Sequence, residues 1–181
     1  RMTVMLDSLL DYSRYNSASI VGKTANIRLV VNDAIESFDL AALGVTVRQS
    51  VDNCPPVHGD AVLLSHVMQN LIGNSIKFRG KDSPVIDVEA KANADRIEVR
   101  VTDNGIGIDP QFAEKVFEMF YRLHNDDEYE GTGIGLAVCQ KIIKDHGGRI
   151  WVDAEYRNGT RFVMTWPLAD AGGEHIENIA A

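Results

Sequence analysis

The stretch from residue 61 to residue 78 constrains the fold more than any other part of the chain. Its apolar residues recur at spacings of three and four, so they form one broad stripe when the stretch is helical. The residues of this stripe are Val62, Leu64, Val67, Met68, Leu71, Ile72 and Ile76. Asp60 precedes the stretch and can cap the helix. A helix with so wide an apolar face must be covered by a second layer.

The remaining patterns supply that layer as strands. Apolar and polar residues alternate over 45–51, 85–90 and 97–101, and the last two segments predict a hairpin. The segments "RIWVDAEY" and "TRFVMTWPL", separated by an Asn158-Gly159 turn, predict a second hairpin. Strands and helices do not alternate as regular βαβ units. We therefore predict an α+β fold, a two-layer sandwich whose mixed sheet is covered by helices on one face.

Other segments have helical patterns. Residues 27–44 predict a helix that stops at Gly44. Its candidates for burial are Leu29, Ala34 and Phe38. A short helix is expected around "QFAEKVFEMF", and a longer one over "IGLAVCQKIIKDHGG" ends at Gly147. Between them lies the acidic segment "HNDDEYEGTG", whose composition is typical of a flexible loop.

The composition limits both the size and the partners of the domain. With 181 residues, 45% of them hydrophobic, the chain can bury one core. A net charge of −8 argues against non-specific nucleic-acid binding, which needs a basic face. No apolar run approaches the roughly 20 residues that span a bilayer. We therefore expect a cytoplasmic location, although other segments of a longer protein could anchor it to a membrane.

Cysteine and histidine usage favours neither disulfides nor zinc. Cys54 and Cys139 are far apart and form no C-x-x-C, which favours two free thiols. The five histidines show no metal-ligand spacing.

The segment "NLIGNSIKF" places Asn70 and Asn74 four residues apart, on one side of the long helix. One interpretation is an exposed asparagine beside a core asparagine with satisfied hydrogen bonds. The other is a Mg²⁺ site, because Mg²⁺ takes oxygen ligands and an amide carbonyl supplies one. In the second case Lys77, one turn further on, would reach a phosphate.

The segment "DNGIGID" follows a predicted strand and contains Asp103, Gly105 and Gly107 in a D-x-G-x-G pattern. Taken alone, it is more typical of a turn. Its carboxylate could also accept a hydrogen bond from an exocyclic amine such as that of adenine. The glycines would let the backbone approach a flat ring.

Two further glycine motifs are compatible with binding a nucleotide. In "EGTGIGL", Gly131, Gly133 and Gly135 open a helix whose N-terminus is suited to an anion, although a flexible loop is the alternative. The segment lacks the lysine of a P-loop. In "NGTRF", a hairpin turn suffices as explanation, but Thr160 would line a pocket if the hairpin abuts the end of the Asp103 strand.

The order of these motifs is more specific than any one of them. N-L-x-x-N-x-x-K-F, D-N-G-x-G-I, F-x-x-F-Y-R, G-T-G-I-G-L and N-G-T-x-F follow one another along the chain. This order resembles the catalytic ATP-binding domain of sensor histidine kinases, in the GHKL superfamily shared with DNA gyrase, the heat-shock chaperone ATPase and the mismatch-repair ATPase. The resemblance covers residues 27–168, and phytochrome-type kinases are the most similar in the segment from "FYRLHNDDEYEGTGIGL" onward.

The resemblance implies a role for each matching residue in binding ATP and Mg²⁺. Asn74 would coordinate Mg²⁺ with support from Asn70, Lys77 would contact phosphate, and Asp103 would accept from the adenine amine. Phe117, Phe120 and Arg122 would anchor a mobile lid over residues 109–131, and Arg122 could reach phosphate. The remaining residues of the implied ATP site are Gly105, Gly107, Gly131, Thr132, Gly133, Gly135, Leu136 and Thr160.

The resemblance also implies a domain organisation and partners. Residues 1–16 would belong to a dimerisation and phosphoacceptor helical hairpin, 17–26 to a linker, 27–168 to the catalytic domain and 169–181 to a flexible tail. The chain begins at Arg1 inside an amphipathic pattern, which predicts a fragment of a longer protein. The resemblance implies that this longer protein is a homodimer. A phosphoacceptor histidine domain and a response regulator would be its partners.

Two observations refine the expected activity. Hydrolysing members of the superfamily place a glutamate, the base for water, where this chain has Asn70, which favours a kinase. No histidine stands in a phosphoacceptor motif, and His66 is interpreted as a structural or pocket-lining residue. We therefore expect this chain to bind ATP without autophosphorylating. A degenerate binding or scaffold module and a GHKL serine kinase remain the alternatives.

Overall fold

A computed structural model describes residues 20, 22–51, 53–123 and 131–169. The predicted hairpin helix over 1–16, most of the linker and nearly all of the tail lie outside these residues. The described part begins with β1 (Thr24–Ala25), α1 (Ile27–Glu36), α2 (Leu40–Leu43), β2 (Thr46–Ser50) and β3 (Val57–His58). It continues with α3 (Ala61–Lys77), β4 (Val85–Asn93), β5 (Arg96–Asp103), α4 (Gly135–Asp145), β6 (Arg149–Val152) and β7 (Arg161–Pro167).

The predicted two-layer sandwich is confirmed. Five strands form a mixed sheet in the order β2-β4-β5-β7-β6, with β2 and β4 parallel and the other neighbours antiparallel. Val88, Val101 and Phe162 are aligned across three strands and buried on the face that the helices cover. This register brings the end of β5 beside the start of β7, since Thr102 pairs with Arg161.

The linker prediction is wrong at its end, because Thr24–Ala25 forms a strand that pairs antiparallel with Val57–His58. Asn26, assigned to the same linker, caps α1 by accepting from the amides of Arg28 and Leu29. Strands of two residues show no alternation, so a sequence pattern cannot reveal them.

Two residues predicted to be buried are exposed. The buried side of α1 consists of Ile27, Val30, Val31 and Ala34, so Leu29 points away from it and is 59% exposed. Val62 is 66% exposed because the buried stripe of α3 starts one residue later, at Leu63. Both errors concern the rotational phase of a helix in its first turn.

Three predicted elements differ in extent. The helix over 27–44 is two helices, because Asp39 starts α2 by capping it, and Gly44 ends α2 in a left-handed conformation. The short helix around 111–120 consists of two 3₁₀ turns, Pro110–Phe112 and Lys115–Phe117. In the second hairpin β6 ends at Val152, since Asp153 turns the chain by accepting from the amide of Glu155.

The other helix and hairpin predictions are confirmed. Asp60 caps α3, and α4 ends before Gly147, which has a φ of 72°. Cys54 and Cys139 are free thiols. Within the described residues, no helix combines the length and the apolar character that crossing a membrane requires.

Candidate functional site

A cavity of about 260 Å³ lies between α3, the N-terminus of α4 and the adjoining ends of β5 and β7. All but one of the predicted ATP-site residues line it. These are Asn70, Asn74, Lys77, Asp103, Gly107, Arg122, Gly131, Thr132, Gly133, Gly135, Leu136 and Thr160. Motifs that are up to 90 residues apart in sequence therefore converge on one site.

Asp103 lies at the end of β5 and is 6% exposed. Its Oδ1 accepts from the backbone amides of Gly105 and Thr160, each at 2.9 Å. Its Oδ2 lies 2.9 Å from Ser75 Oγ, which donates to it. Burial raises the pKa of Asp103 although these hydrogen bonds favour the ionised form. Gly105 is the predicted site residue that does not line the cavity. Its backbone amide instead donates to the Asp103 carboxylate.

The second hairpin lies against the end of the Asp103 strand. This was the condition for Thr160 to line the site. The Asp103 amide donates to Thr160 O at 2.8 Å, in addition to the bond from the Thr160 amide to the carboxylate. Gly159 has a φ of 134°, and a Cβ there would overlap the backbone of Asp103. The glycine of "NGTRF" is thus needed for close packing beside the site rather than for a tight two-residue turn.

Asn70 and Asn74 interact directly on the cavity side of α3. Asn74 Nδ2 donates to Asn70 Oδ1 at 3.1 Å, which leaves the carbonyl oxygen of Asn74 as a candidate metal ligand. The described residues contain no group of three or more His, Cys, Asp or Glu side chains that could hold a metal ion. Neutral oxygen donors of this kind fit Mg²⁺ that is also held by phosphate oxygens.

The N-terminus of α4 differs from those of the other α-helices. Asn26, Asp39 and Asp60 cap α1, α2 and α3, whereas no side chain among the described residues caps α4. Its first amides therefore remain available as donors for an anion. Gly135 opens the helix so close to Asn70 that a Cβ would overlap the Asn70 amide group.

The segment after β5 connects the apolar wall to the glycine loop. Phe117 is buried and packs edge-on against Phe162, with ring centroids 6.3 Å apart. Phe120 is 52% exposed, and its amide donates to Gly133 O at 2.9 Å. Gly133 has a φ of 69°, which favours glycine. The rest of the predicted lid, residues 124–130, lies outside the described residues.

Lys77 and Arg122 provide the positive charge of the cavity wall. Lys77 Nζ also lies 4.4 Å from the centroid of the Phe78 ring. His66 is exposed and does not line the cavity, so its interpretation as a pocket-lining residue is wrong, whereas a structural role stays a prediction. His66 lies on the solvent side of α3, opposite the apolar stripe.

The motifs left several wall residues unpredicted. They are Phe78, Ile106, Ile108, Val116, Tyr121, Leu123 and Phe162. Ser75 was missed as well, although it lies four residues after Leu71 on the apolar stripe of α3. A serine at a buried stripe position needs a hydrogen-bond partner, and that was the available signal.

Comparison with known proteins agrees with this site. Residues 59–170 match the family described as histidine kinase-, DNA gyrase B-, and HSP90-like ATPase. Cyanobacterial phytochrome A of Nostoc sp. (strain PCC 7120) is 38% identical over 178 residues, which are 97% of this chain and 23% of the phytochrome. A mycobacterial sensor histidine kinase, MprB, superposes with a TM-score of 0.70 at 25% identity, over 82% of this chain and 98% of that one.

A third similarity concerns the fold alone. The histidine kinase ThkA, solved in complex with the response regulator TrrA, gives a TM-score of 0.71 at 21% identity. The match covers 93% of this chain and 47% of that one.

Together the sheet, the helices and the cavity define an ATP-binding domain of the GHKL type. The chain belongs to the histidine kinase-, DNA gyrase B-, and HSP90-like ATPase family. It spans about a quarter of the length of the phytochrome that it resembles.

Proposed function

We propose that this chain is the catalytic ATP-binding module of a sensor histidine kinase. The module binds ATP with Mg²⁺ and delivers the γ-phosphoryl group to a histidine outside these residues, from which it passes to an aspartate of a response regulator. One observation carries this proposal: the buried Asp103 carboxylate and the uncapped N-terminus of α4 face the same cavity. The first suits the amino group of a base and the second suits phosphates.

The proposal gives a task to the following lining residues. Asp103 accepts from the adenine amine, and Asn74 contributes a ligand to Mg²⁺ with Asn70 holding its amide. Lys77, Arg122 and the amides of the glycine loop bind the phosphates. Mg²⁺ neutralises charge on the phosphates when it is bound.

The nucleophile is a histidine imidazole rather than water. Asn70 cannot act as a base for water, and Asp103, the one carboxylate among the described lining residues, is assigned to the adenine amine. In the transfer an imidazole nitrogen forms the new N–P bond while the bond from the γ-phosphorus to the bridging oxygen breaks, and ADP leaves. The module contributes positioning and electrostatic stabilisation.

Similar proteins support the choice of partners. The phytochrome and MprB similarities favour a sensor kinase, and the ThkA complex favours a response regulator as the final acceptor. The intact protein would act as a homodimer whose catalytic domain, residues 27–168, works in the cytoplasm.

Phosphotransfer from γ-labelled ATP tests the proposal. With Mg²⁺ and a separately produced phosphoacceptor hairpin of the parent kinase, we expect acid-labile label on the hairpin and none on the module. Acid-stable label would instead indicate the serine kinase. ATP binding without any transfer would indicate the binding module.

A further inference from the structure

Ser75 is a buried polar residue behind the cavity wall, and the proposed reaction gives it no task. It is 3% exposed and follows Asn74 directly on α3. Its Oγ lies 2.9 Å from Asp103 Oδ2 and 3.1 Å from Leu71 O. A serine hydroxyl has one proton, so it donates to only one of these oxygens at a time.

The donors to Asp103 are not equivalent. The amides of Gly105 and Thr160 can only donate, whatever the charge of the carboxyl group. The Ser75 hydroxyl donates to Oδ2 when Asp103 is ionised. If Asp103 carries a proton, the hydroxyl can accept from Oδ2–H and donate to Leu71 O instead. Like the Thr160 hydroxyl, which also hydrogen-bonds the carboxyl group, Ser75 is therefore a contact that can change direction with the protonation of Asp103.

We propose that Ser75 is a positioning residue for base recognition, which holds the Asp103 carboxylate ionised and aims the other lone pair of Oδ2 at the amino group of the base. This inference rests on the proposed function in taking adenine as the base. An ionised carboxylate accepts from an amino group and repels a carbonyl oxygen. The pair therefore selects a 6-amino purine against a 6-oxo purine.

Three other titratable side chains of the described residues line the cavity around Asp103. They are Lys77 on α3, Arg122 after the second 3₁₀ turn, and Tyr121. Thr160 precedes β7 and Phe162 lies on it, and both face the site without charge. Burial raises the pKa of Asp103, and the hydrogen bonds from Thr160, Gly105 and Ser75 oppose that rise. A variant of Ser75 separates its contribution from those of the other donors.

The test compares the wild type with Ser75→Ala and with Ser75→Cys, whose thiol is a weaker donor of similar shape. Ser65→Ala is the matched control, since Ser65 is a buried serine near the start of the same helix, whereas the Asp103 contact lies near its end. Two quantities are measured. They are the pKa of the Asp103 carboxyl in nucleotide-free protein, by ¹³C NMR, and the affinities for ATP and for inosine triphosphate, by calorimetry.

We expect Ser75→Ala to raise the carboxyl pKa by about one unit and to lower the ratio of ATP to inosine triphosphate affinity about tenfold. Ser75→Cys should change both in the same direction, and Ser65→Ala should change neither.

An unchanged pKa, or a shifted pKa with an unchanged affinity ratio, would overturn the proposal for Ser75. These outcomes differ from failure of the proposed function. If the wild type bound no ATP, the proposed function would fail, whereas the NMR titration would still decide whether Ser75 holds the carboxyl ionised.

Discussion

Asp103 is a buried residue whose proposed role requires an ionised carboxylate. It is 6% exposed, and burial raises the pKa of its carboxyl. Two backbone amides and the Ser75 hydroxyl oppose that rise by donating to the ionised form. A carboxylate with these donors is preorganised to accept one more hydrogen bond, from the side of the cavity. The proposed adenine-recognition site therefore has its hydrogen bonds in place without a bound nucleotide.

Asn74→Ala tests the metal site at the same scale. Removing the amide oxygen should abolish most of the Mg²⁺ dependence of ATP binding, because the carbonyl of Asn74 is the proposed protein ligand. Calorimetry with ATP in the presence and in the absence of Mg²⁺ measures this. Asn93→Ala, at the exposed end of β4, is the control. A Mg²⁺ dependence that Asn74→Ala leaves intact would refute the ligand role.

At the scale of elements, α3 and α4 bring the two halves of the site together. Helix α3 carries Asn70, Asn74 and Lys77, and the uncapped N-terminus of α4 approaches Asn70 through Gly135. At the other end of α3, a hydrogen bond links the two helices. It is made by His146, which follows α4. Its Nε2 accepts from the Asp60 amide at 3.1 Å, and its Nδ1 lies 2.7 Å from Ile142 O.

Gly135→Ala should weaken ATP binding about tenfold or more while the domain stays folded, because the added Cβ overlaps the Asn70 amide group at the entrance of α4. Gly73→Ala on α3 is the matched control, since its Cβ would make an ordinary contact of 3.6 Å with Phe38. The control should retain ATP affinity and gain roughly 0.5–1 kcal/mol of stability. Equal ATP affinities of the two variants would contradict this geometry.

His146 should make stability depend on pH. Burial lowers the pKa of His146 below its ordinary value of 6.5, so the unfolded chain binds a proton that the folded chain does not. The free energy of unfolding should therefore fall as the pH falls below 6.5, by at most about 1.4 kcal/mol per pH unit until the folded state also protonates. Urea unfolding at several pH values measures this.

His146→Gln should flatten that dependence, and His66→Ala, which changes an exposed histidine of α3, should not. If wild type and His146→Gln lost stability in parallel on acidification, the buried imidazole would not be the cause.

At the scale of the whole molecule, the sequence predicted the two layers from apolar periodicity and the site residues from the order of the motifs. The apolar stripe of α3 and the two hairpins predicted the layers, and motif order predicted Asn74, Asp103 and Thr160 in one cavity. Patterns could not show the pairing of β1 with β3, because it depends on contacts distant in sequence. They also missed Ser75, because its partner, Asp103, is 28 residues away in sequence.

The two cysteines should react with thiol reagents at different rates, because only Cys139 is fully buried in the core. Cys139 is 2% exposed, and burial raises the pKa of its thiol to about 12. Cys54 is half-buried. With a thiol reagent such as DTNB, Cys54 should react in the native protein, whereas Cys139 should react only as the domain opens. Cys54→Ser identifies the fast phase, and rapid labelling of Cys139 without denaturant would show that the core is not packed as described.

Calorimetry of ATP binding to Asp103→Asn tests most directly whether the cavity is an adenine-nucleotide site. The amide retains an oxygen for the Gly105 and Thr160 amides but turns an N–H toward the base, where the amine needs an acceptor. Asp87→Ala, on the solvent face of β4, serves as the control. We predict that Asp103→Asn loses ATP binding while its unfolding transition stays cooperative. Wild-type ATP affinity in a folded Asp103→Asn protein would contradict this assignment.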